Sequence, residues 1–185
     1  MKTRFLLVVK LLGLSYLGYL LYVLAFAYDL ASPAFSPPFV IWLLDTINLF
    51  IHEAGHFFLN PFGQWIYVFG GSFVQVFLPL LLALLGLRQS YGHAILPAFW
   101  CGESMVNVSV YIRDAPVRHL RLIARGVIHD WNWLLSDNLD SADMLADIVL
   151  GLGVVICVVA IGVGVVVAIQ GYREASLEQA EAIMP

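Results

Sequence analysis

The sequence contains five apolar runs, each long enough to cross a lipid bilayer. A hydrocarbon core about 30 Å thick requires roughly 20 apolar residues in a helix. The runs lie at residues 5–27, 39–60, 64–87, 91–112 and 147–170. Of the 185 residues, 61% are hydrophobic and 12% are charged, which leaves too little polar surface to cover a water-soluble domain. We therefore predict an all-α fold, in which residues 1–185 form a single polytopic membrane helix bundle with about five transmembrane helices.

The links between the runs are short, with one exception. Pro61 and Gly63 end the second run, and residues 88–90 join the third run to the fourth. Such short links predict antiparallel helical hairpins. Residues 113–146 form the one long polar stretch, and the tryptophans within it are typical of a membrane interface. We expect this stretch to be an interfacial helix followed by a loop.

Basic residues predict an orientation in the membrane. Lys2 and Arg4 precede the first run. Four arginines follow the fourth run, namely Arg113, Arg118, Arg121 and Arg125. Four crossings between these groups would place both in the cytoplasm, so we predict a multi-pass cell-membrane protein with a cytoplasmic N-terminus and residues 113–146 on the same side. The net charge of −4 argues against a nucleic-acid partner, because no basic stripe faces a phosphate backbone.

The second apolar run contains the pattern His52-Glu53-Ala54-Gly55-His56. Residues four apart lie on one face of a helix, so His52 and His56 can present two imidazoles to one metal ion, with Glu53 beside it. Zinc with an open coordination position lowers the pKa of its bound water to about 7, and the glutamate can take that proton. Histidine and glutamate are costly to bury in a membrane and usually mark function there. The pattern therefore predicts a Zn²⁺ site at His52 and His56, with Glu53 as the catalytic base.

Polar side chains recur at helical spacing along two of the runs. The second run carries Asp45, Asn48, His52 and His56 on one face. The fourth run carries Glu103, Asn107, Tyr111 and Asp114 on one face. The third run adds Gln75, which can hydrogen-bond to a neighbour or to an extended substrate, and small residues at 70–72 that permit close helix approach. Together these patterns predict a buried polar site shared by three helices, near the cytoplasmic side.

A catalytic zinc needs a third protein ligand. We favour the pair His129-Asp130, of which one residue would bind the metal while the other orients it. The remaining candidates, as alternative ligands or as partners around the ligands, are Glu103, Asn107, Asp114 and Gln75.

An HExxH run inside a transmembrane helix resembles the motif of the site-2-protease-like intramembrane zinc metalloproteases. The resemblance covers the second helix and the general plan of the bundle. It implies cleavage of membrane-embedded substrates, with His52 and His56 as ligands and Glu53 as the base. That family takes its third ligand from the aspartate of an Asn-Pro-x-x-Asp-Gly-type motif, which this chain lacks, so Asp114 or Asp130 would have to take that place.

Two classes of function remain. The first is an intramembrane metalloprotease that hydrolyses peptide bonds of a membrane protein or peptide by zinc-activated water, with the lipid bilayer as its surroundings. The alternative is a non-catalytic membrane protein that uses the same residues as a structural or metal-binding site. A di-iron oxidase would need a second Glu-x-x-His unit besides the one from Glu53 to His56, and a transporter would need repeated halves that the sequence lacks.

Overall fold

The computed structural model describes residues 2–32, 34–120 and 127–181, and these are helical, without a β-strand. The helices are α1 (Lys2–Phe26), α2 (Phe39–Leu59), α3 (Gln64–Leu87), α4 (Tyr91–Arg113), α5 (Asp130–Leu134) and α6 (Ala142–Glu181). Short 3₁₀ turns at Asn60–Phe62 and Leu139–Ser141 follow α2 and precede α6. The predicted all-α bundle is confirmed.

The helix boundaries follow the apolar runs closely, except at the last run. The predicted run 147–170 lies within the 40-residue helix α6, which begins at Ala142 and ends at Glu181. Its last turns contain good helix formers such as Glu, Ala, Leu and Gln, and no proline or further glycine lies between Gly171 and Glu181, so nothing ends the helix where the apolar run ends. Between α4 and α6 the described residues contain one short α-helix, α5, and the 3₁₀ turn that precedes α6. Arg121 and Arg125 lie outside the described residues.

Four of the described helices are long and apolar enough to cross a membrane: α1, α3, α4 and α6. They make this chain a membrane protein. Helix α2, predicted as a fifth span, is not among the four. Its stripe of Asp45, Asn48, His52 and His56 explains the difference, because each polar group lowers the tendency of a helix to lie in hydrocarbon.

The ends of the bundle are fixed by contacts along α6. Near its end, Gln179 donates to the Thr3 hydroxyl at the start of α1, at 2.9 Å. Near its start, Asp147 pairs with Arg113 at the end of α4, at 2.6 Å. Asp147 and Gln179 are about 48 Å apart along one helix, which is longer than the hydrocarbon core is thick. The chain start and the Arg113 end of α4 therefore lie at opposite ends of the bundle.

This arrangement bears on the predicted orientation. The prediction puts the basic group at Arg4 and the basic group at Arg113 and Arg118 on one side of the membrane, whereas the contacts along α6 place them at opposite ends of the bundle. Gly86 of α3 lies against His93 of α4, so these two helices form a hairpin, and α3 begins at the Arg113 end, where α1 also ends. Thr3 and Gln179, near the two ends of the described chain, lie together. The positive-inside argument no longer selects a side for the site.

Close packing of small residues holds α4 against α6. A Cβ atom on Gly102 would lie 2.5 Å from the Cys157 sulfur, and a Cβ atom on Gly153 would lie 3.1 Å from the Met105 Cβ. Glycine at both positions lets the two backbones approach, as is common between membrane helices. A second buried cluster joins Ile112 of α4 and Ala146 of α6 to Trp131 of α5. This cluster seats α5 against the bundle at its Arg113 end.

Candidate metal centre

Two histidines and one aspartate converge at the Arg113 end of the bundle. His52 and His56 project from successive turns of α2, and Asp130 is the first residue of α5. Asp130 Oδ2 lies 2.8 Å from His52 Nε2 and 3.2 Å from His56 Nε2. His52 and Asp130 are buried and His56 is half-buried. These three residues form a group that can hold a metal ion.

The other ring nitrogen of each histidine faces a carbonyl oxygen. His52 Nδ1 lies 3.1 Å from Gln75 Oε1, and His56 Nδ1 lies 2.7 Å from the backbone carbonyl of Tyr67. A carbonyl oxygen only accepts hydrogen bonds, so a neutral ring that donates to it carries its proton on Nδ1 and directs the Nε2 lone pair at Asp130. This is the arrangement in which protein histidines bind metals.

Three electron-pair donors therefore face one another at the centre of the group. Without a cation between them, the two Nε2 lone pairs and the Asp130 carboxylate oxygen would repel. A proton on one imidazole would satisfy one of these contacts, whereas a metal ion would satisfy all three. Burial raises the pKa of the Asp130 carboxyl, but without a metal a proton on Nε2 of an imidazole would donate to Asp130 and lower that pKa again.

Glycines on α2 and α3 create the space for the His52 ring. A Cβ atom on Gly71 would lie 2.5 Å from His52 Nε2, and a Cβ atom on Gly55 would collide with the Gly70 carbonyl. The small residues noted in the sequence thus allow α3 to approach α2 closely. This close approach leaves room for the His52 ring. Next to them, Ser72 Oγ accepts a hydrogen bond of 3.0 Å from the indole nitrogen of Trp131, which anchors α5.

His129, predicted as one of the ligand pair, is directed elsewhere. Its Nδ1 accepts from the backbone nitrogen of Asn132 at 3.2 Å and caps α5, and its Nε2 donates to Asp114 Oδ2, also at 3.2 Å. Its ring packs on Tyr111, with 4.3 Å between ring centroids. Both ring nitrogens are used, so His129 holds the start of α5 in place and Asp130 is the member of the pair that reaches the histidines.

Asp114 and Glu103, the alternative ligands, also lie outside the metal group. Asp114 accepts from the backbone nitrogens of His119 and Leu120, at 2.7 and 3.1 Å, besides its bond with His129. It therefore orders the chain that follows α4. Glu103 is fully buried and accepts from Asn48 Nδ2 at 2.9 Å, on the α2–α4 interface.

Glu53 and the metal group share one cavity of about 900 Å³. Glu53 is half-buried, and its charge is close enough to His56 to interact with it. Polar lining comes from the helices, including Gln75, Asn107 and Tyr111. Apolar lining comes from the links at both sides: Leu30, Phe35, Leu120, Val127 and Ile128. The cavity is large enough for a short stretch of peptide or another small ligand.

Two groups of the site were not predicted. The Tyr67 carbonyl is a backbone atom and carries no sequence signal. Tyr28 lies in the link between α1 and α2, where its hydroxyl donates to Asp45 Oδ1 at 2.5 Å. The signal for Tyr28 was weak, since it is one tyrosine of eight in an apolar chain.

Comparison with known proteins adds no assignment, since no family model, no curated protein and no solved structure matches this chain.

Proposed function

We propose that this protein is an intramembrane zinc metalloprotease, in which His52, His56 and Asp130 hold Zn²⁺ and Glu53 is the general base. One observation carries the proposal. The two Nε2 atoms converge on Asp130 Oδ2 while both Nδ1 atoms are held by carbonyl oxygens. Two imidazoles and one carboxylate are a ligand set of catalytic zinc, which keeps a fourth position for water.

The residues around the group support hydrolysis in particular. Bound zinc supplies an acidic water and polarises a carbonyl oxygen. Glu53 lies on α2 directly beside His52 and borders the same cavity, where its carboxylate can accept a proton from water. Gln75 and the Tyr67 carbonyl hold the two rings in the binding tautomer. The chain itself thus provides the ligands, their orientation and the base.

The cavity supports a peptide substrate that reaches the site from the membrane. Its apolar lining comes from the links that precede α2 and α5, and its polar lining surrounds the metal group. An extended segment of a membrane protein would pack its apolar side chains against the apolar lining and place its backbone amide next to the metal group. The site lies at the Arg113 end of the bundle, since α5 packs there against Ile112 and Ala146, and we expect water to reach it from that end.

The proposal is tested by a substitution that removes the base and leaves the zinc ligands in place. Glu53→Gln should retain zinc, measured by elemental mass spectrometry of the purified protein, and lower cleavage by about 10²–10⁴-fold, the usual contribution of a general base. Cleavage is measured as new N-termini in membranes of cells that produce either form. Glu178→Gln, an exposed change on α6, is the matched control and should match the wild type. Absence of stoichiometric zinc, or identical N-termini with Glu53→Gln, would overturn the proposal.

A non-catalytic role has support from the same group, because Asp130 joins α5 to both histidines of α2. In that case the metal would hold α5 in place. His52→Ala would then lose metal and loosen α5, whereas Glu53→Gln would change no cleavage event. The two variants together distinguish the roles.

A further inference from the structure

A continuous chain of hydrogen bonds runs from the link before α2 to the ring of His52. Asp45 Oδ1 accepts from the Tyr28 hydroxyl at 2.5 Å and from Asn107 Nδ2 at 2.8 Å. Asn107 Oδ1 accepts from Gln75 Nε2, also at 2.8 Å. Gln75 Oε1 faces His52 Nδ1 at 3.1 Å. Asp45 lies seven residues before His52 on α2, and the chain reaches His52 through α4 and α3.

The direction of every bond in this chain is set at the Asp45 end. A side-chain amide has a donating and an accepting end, so turning one amide over reverses the next. Asp45 Oδ1 accepts from two donors, so Asn107 must present its Nδ2 there and its Oδ1 to Gln75. Gln75 must then present Nε2 to Asn107 and Oε1 to His52.

Tyr28 does not set this direction by itself, because a hydroxyl can donate or accept. It accepts from Asn107 at 2.9 Å, since its own proton is donated to Asp45. Without the Asp45 oxygen, the tyrosine could donate to Asn107 Oδ1 and both amides could turn over. Gln75 would then face His52 with its NH₂ group, and the ring would carry its proton on Nε2, where a metal would have to bind.

We propose that Asp45 is a positioning residue, which fixes the ring tautomer of His52 through Asn107 and Gln75 and thereby sets the zinc affinity of the site. The inference rests on the proposed metal site of the protease. It does not require that the protein cleave a peptide. Loss of hydrogen-bond partners around metal ligands usually costs about 10–100-fold in metal affinity, and we expect a loss in this range when the chain is broken at Asp45.

The experiment compares two substitutions at Asp45 in the full chain in detergent. Asp45→Leu removes the accepting oxygen. Asp45→Asn removes the charge but keeps an oxygen for Asn107, because its NH₂ group can donate to the neighbouring Glu103. In metal-free protein labelled with ¹⁵N-histidine and carrying Asp130→Ala, which removes the acceptor that faces Nε2, the His52 ring should carry its proton on Nδ1 when residue 45 is Asp or Asn. In Asp45→Leu a large fraction should carry it on Nε2. The His52 signals are identified by their absence from His52→Gln.

Zinc affinity, measured by competition with a chromophoric chelator, gives the second readout. Asp45→Leu should bind zinc about 10–100-fold more weakly, and Asp45→Asn should stay within about threefold of the wild type. Asp143→Leu, an exposed change in the first turn of α6, is the matched control. A role of charge alone would weaken both Asp45 variants equally. That result, or an unchanged tautomer in Asp45→Leu, would overturn the proposal.

A third variant keeps the test decisive if Asp45→Leu does not fold. Asn107→Leu breaks the chain at its next member and carries the same expectation for the His52 ring. If the wild type bound no zinc, the proposed function would fail, while the tautomer in metal-free protein would still test the chain. If the protein bound zinc and neither Asp45→Leu nor Asn107→Leu changed the His52 tautomer, only the present inference would fail.

Discussion

Helix α2 carries two polar clusters within three turns, and they are built on opposite principles. In the clasp, formed by Asp45, Asn48, Glu103 and Asn107, each helix supplies one carboxyl and one amide. Asn48 Nδ2 donates to Glu103 at 2.9 Å, and Asn107 Nδ2 donates to Asp45 at 2.8 Å. In the metal group, the imidazole lone pairs of His52 and His56 face the carboxylate of Asp130 instead.

The difference separates a cluster whose polar groups bond to one another from a group that could hold a metal ion. Each carboxyl of the clasp receives a donor from the opposite helix, so its polar groups are largely satisfied within the protein. Only Glu103 Oε1 has no hydrogen-bond partner among the described residues. With the proton of each imidazole on Nδ1, the metal group presents three acceptors to one another, an arrangement that a cation would complete. Buried polarity alone therefore does not identify the site, whereas a deficit of donors does.

The largest effect should follow from removing a ligand of the metal group. His56→Ala should abolish stoichiometric zinc binding, a greater loss than the roughly 10–100-fold caused by losing a partner around a ligand. Elemental mass spectrometry of the purified protein measures it. His93→Ala is the matched control, because His93 bonds Ser90 at 2.6 Å at the opposite end of α4. Full zinc content in His56→Ala would show that the convergence of the two rings binds no metal.

A smaller effect should follow from filling the space beside His52. Gly71→Ala places a methyl group 2.5 Å from His52 Nε2, so either the ring or helix α3 must shift. We expect a loss of about 1–3 kcal/mol of stability, as in other overpacked cores, and a weakened zinc affinity. Gly13→Ala on α1 meets nothing within 4 Å and is the control. Thermal unfolding and chelator competition measure the two quantities; equal behaviour of the two variants would contradict the packing argument.

The sequence predicted those parts of the site that depend on helical spacing. His52 and His56 share a face because they are four residues apart, and no tertiary information is needed for that conclusion. For the third ligand, the sequence favoured the pair His129-Asp130 without deciding between the two. Which of two adjacent residues faces a neighbour depends on how α5 starts. The bond from His129 to Asp114 decides it, and that bond joins residues on separate elements.

The membrane topology could be predicted less well, for a physical reason. Hydropathy measures whether a segment tolerates hydrocarbon, and it identified α1, α3, α4 and α6. It does not measure where a link returns the chain, and α2 has the length of a span but is not among the four helices apolar enough to cross a membrane. Its polar stripe predicts a site within a spanning helix, and the same stripe lowers the tendency of α2 to lie in hydrocarbon. The cytoplasmic N-terminus depends on the number of crossings and stays a prediction.

A modest effect should follow from loosening the anchor of α5. Trp131→Phe removes the indole donor to Ser72 Oγ and keeps an aromatic ring against Phe69. We expect the variant to lose about 0.5–1.5 kcal/mol of stability, the usual net worth of one hydrogen bond. Asp130 is the next residue, so zinc affinity should fall by a few-fold as well. Trp133→Phe, at a half-buried position of the same helix, is the control. Equal zinc affinities in the two variants would show that the hydrogen bond from Trp131 to Ser72 does not hold Asp130 in position.

The smallest effect should come from the clasp, and it is the sharpest test of the comparison. Glu103→Gln and Asp130→Asn each replace one buried carboxyl by an amide of the same size. In Glu103→Gln the amide oxygen can still accept from Asn48, and the new NH₂ group can donate to the neighbouring Asp45, so stability should change by less than about 1 kcal/mol and zinc affinity should not change. In Asp130→Asn the charge that attracts the cation is lost and zinc binding should weaken severely. Parallel chelator competition measures both, and equal losses in the two variants would mean that the clasp and the metal group act as one site.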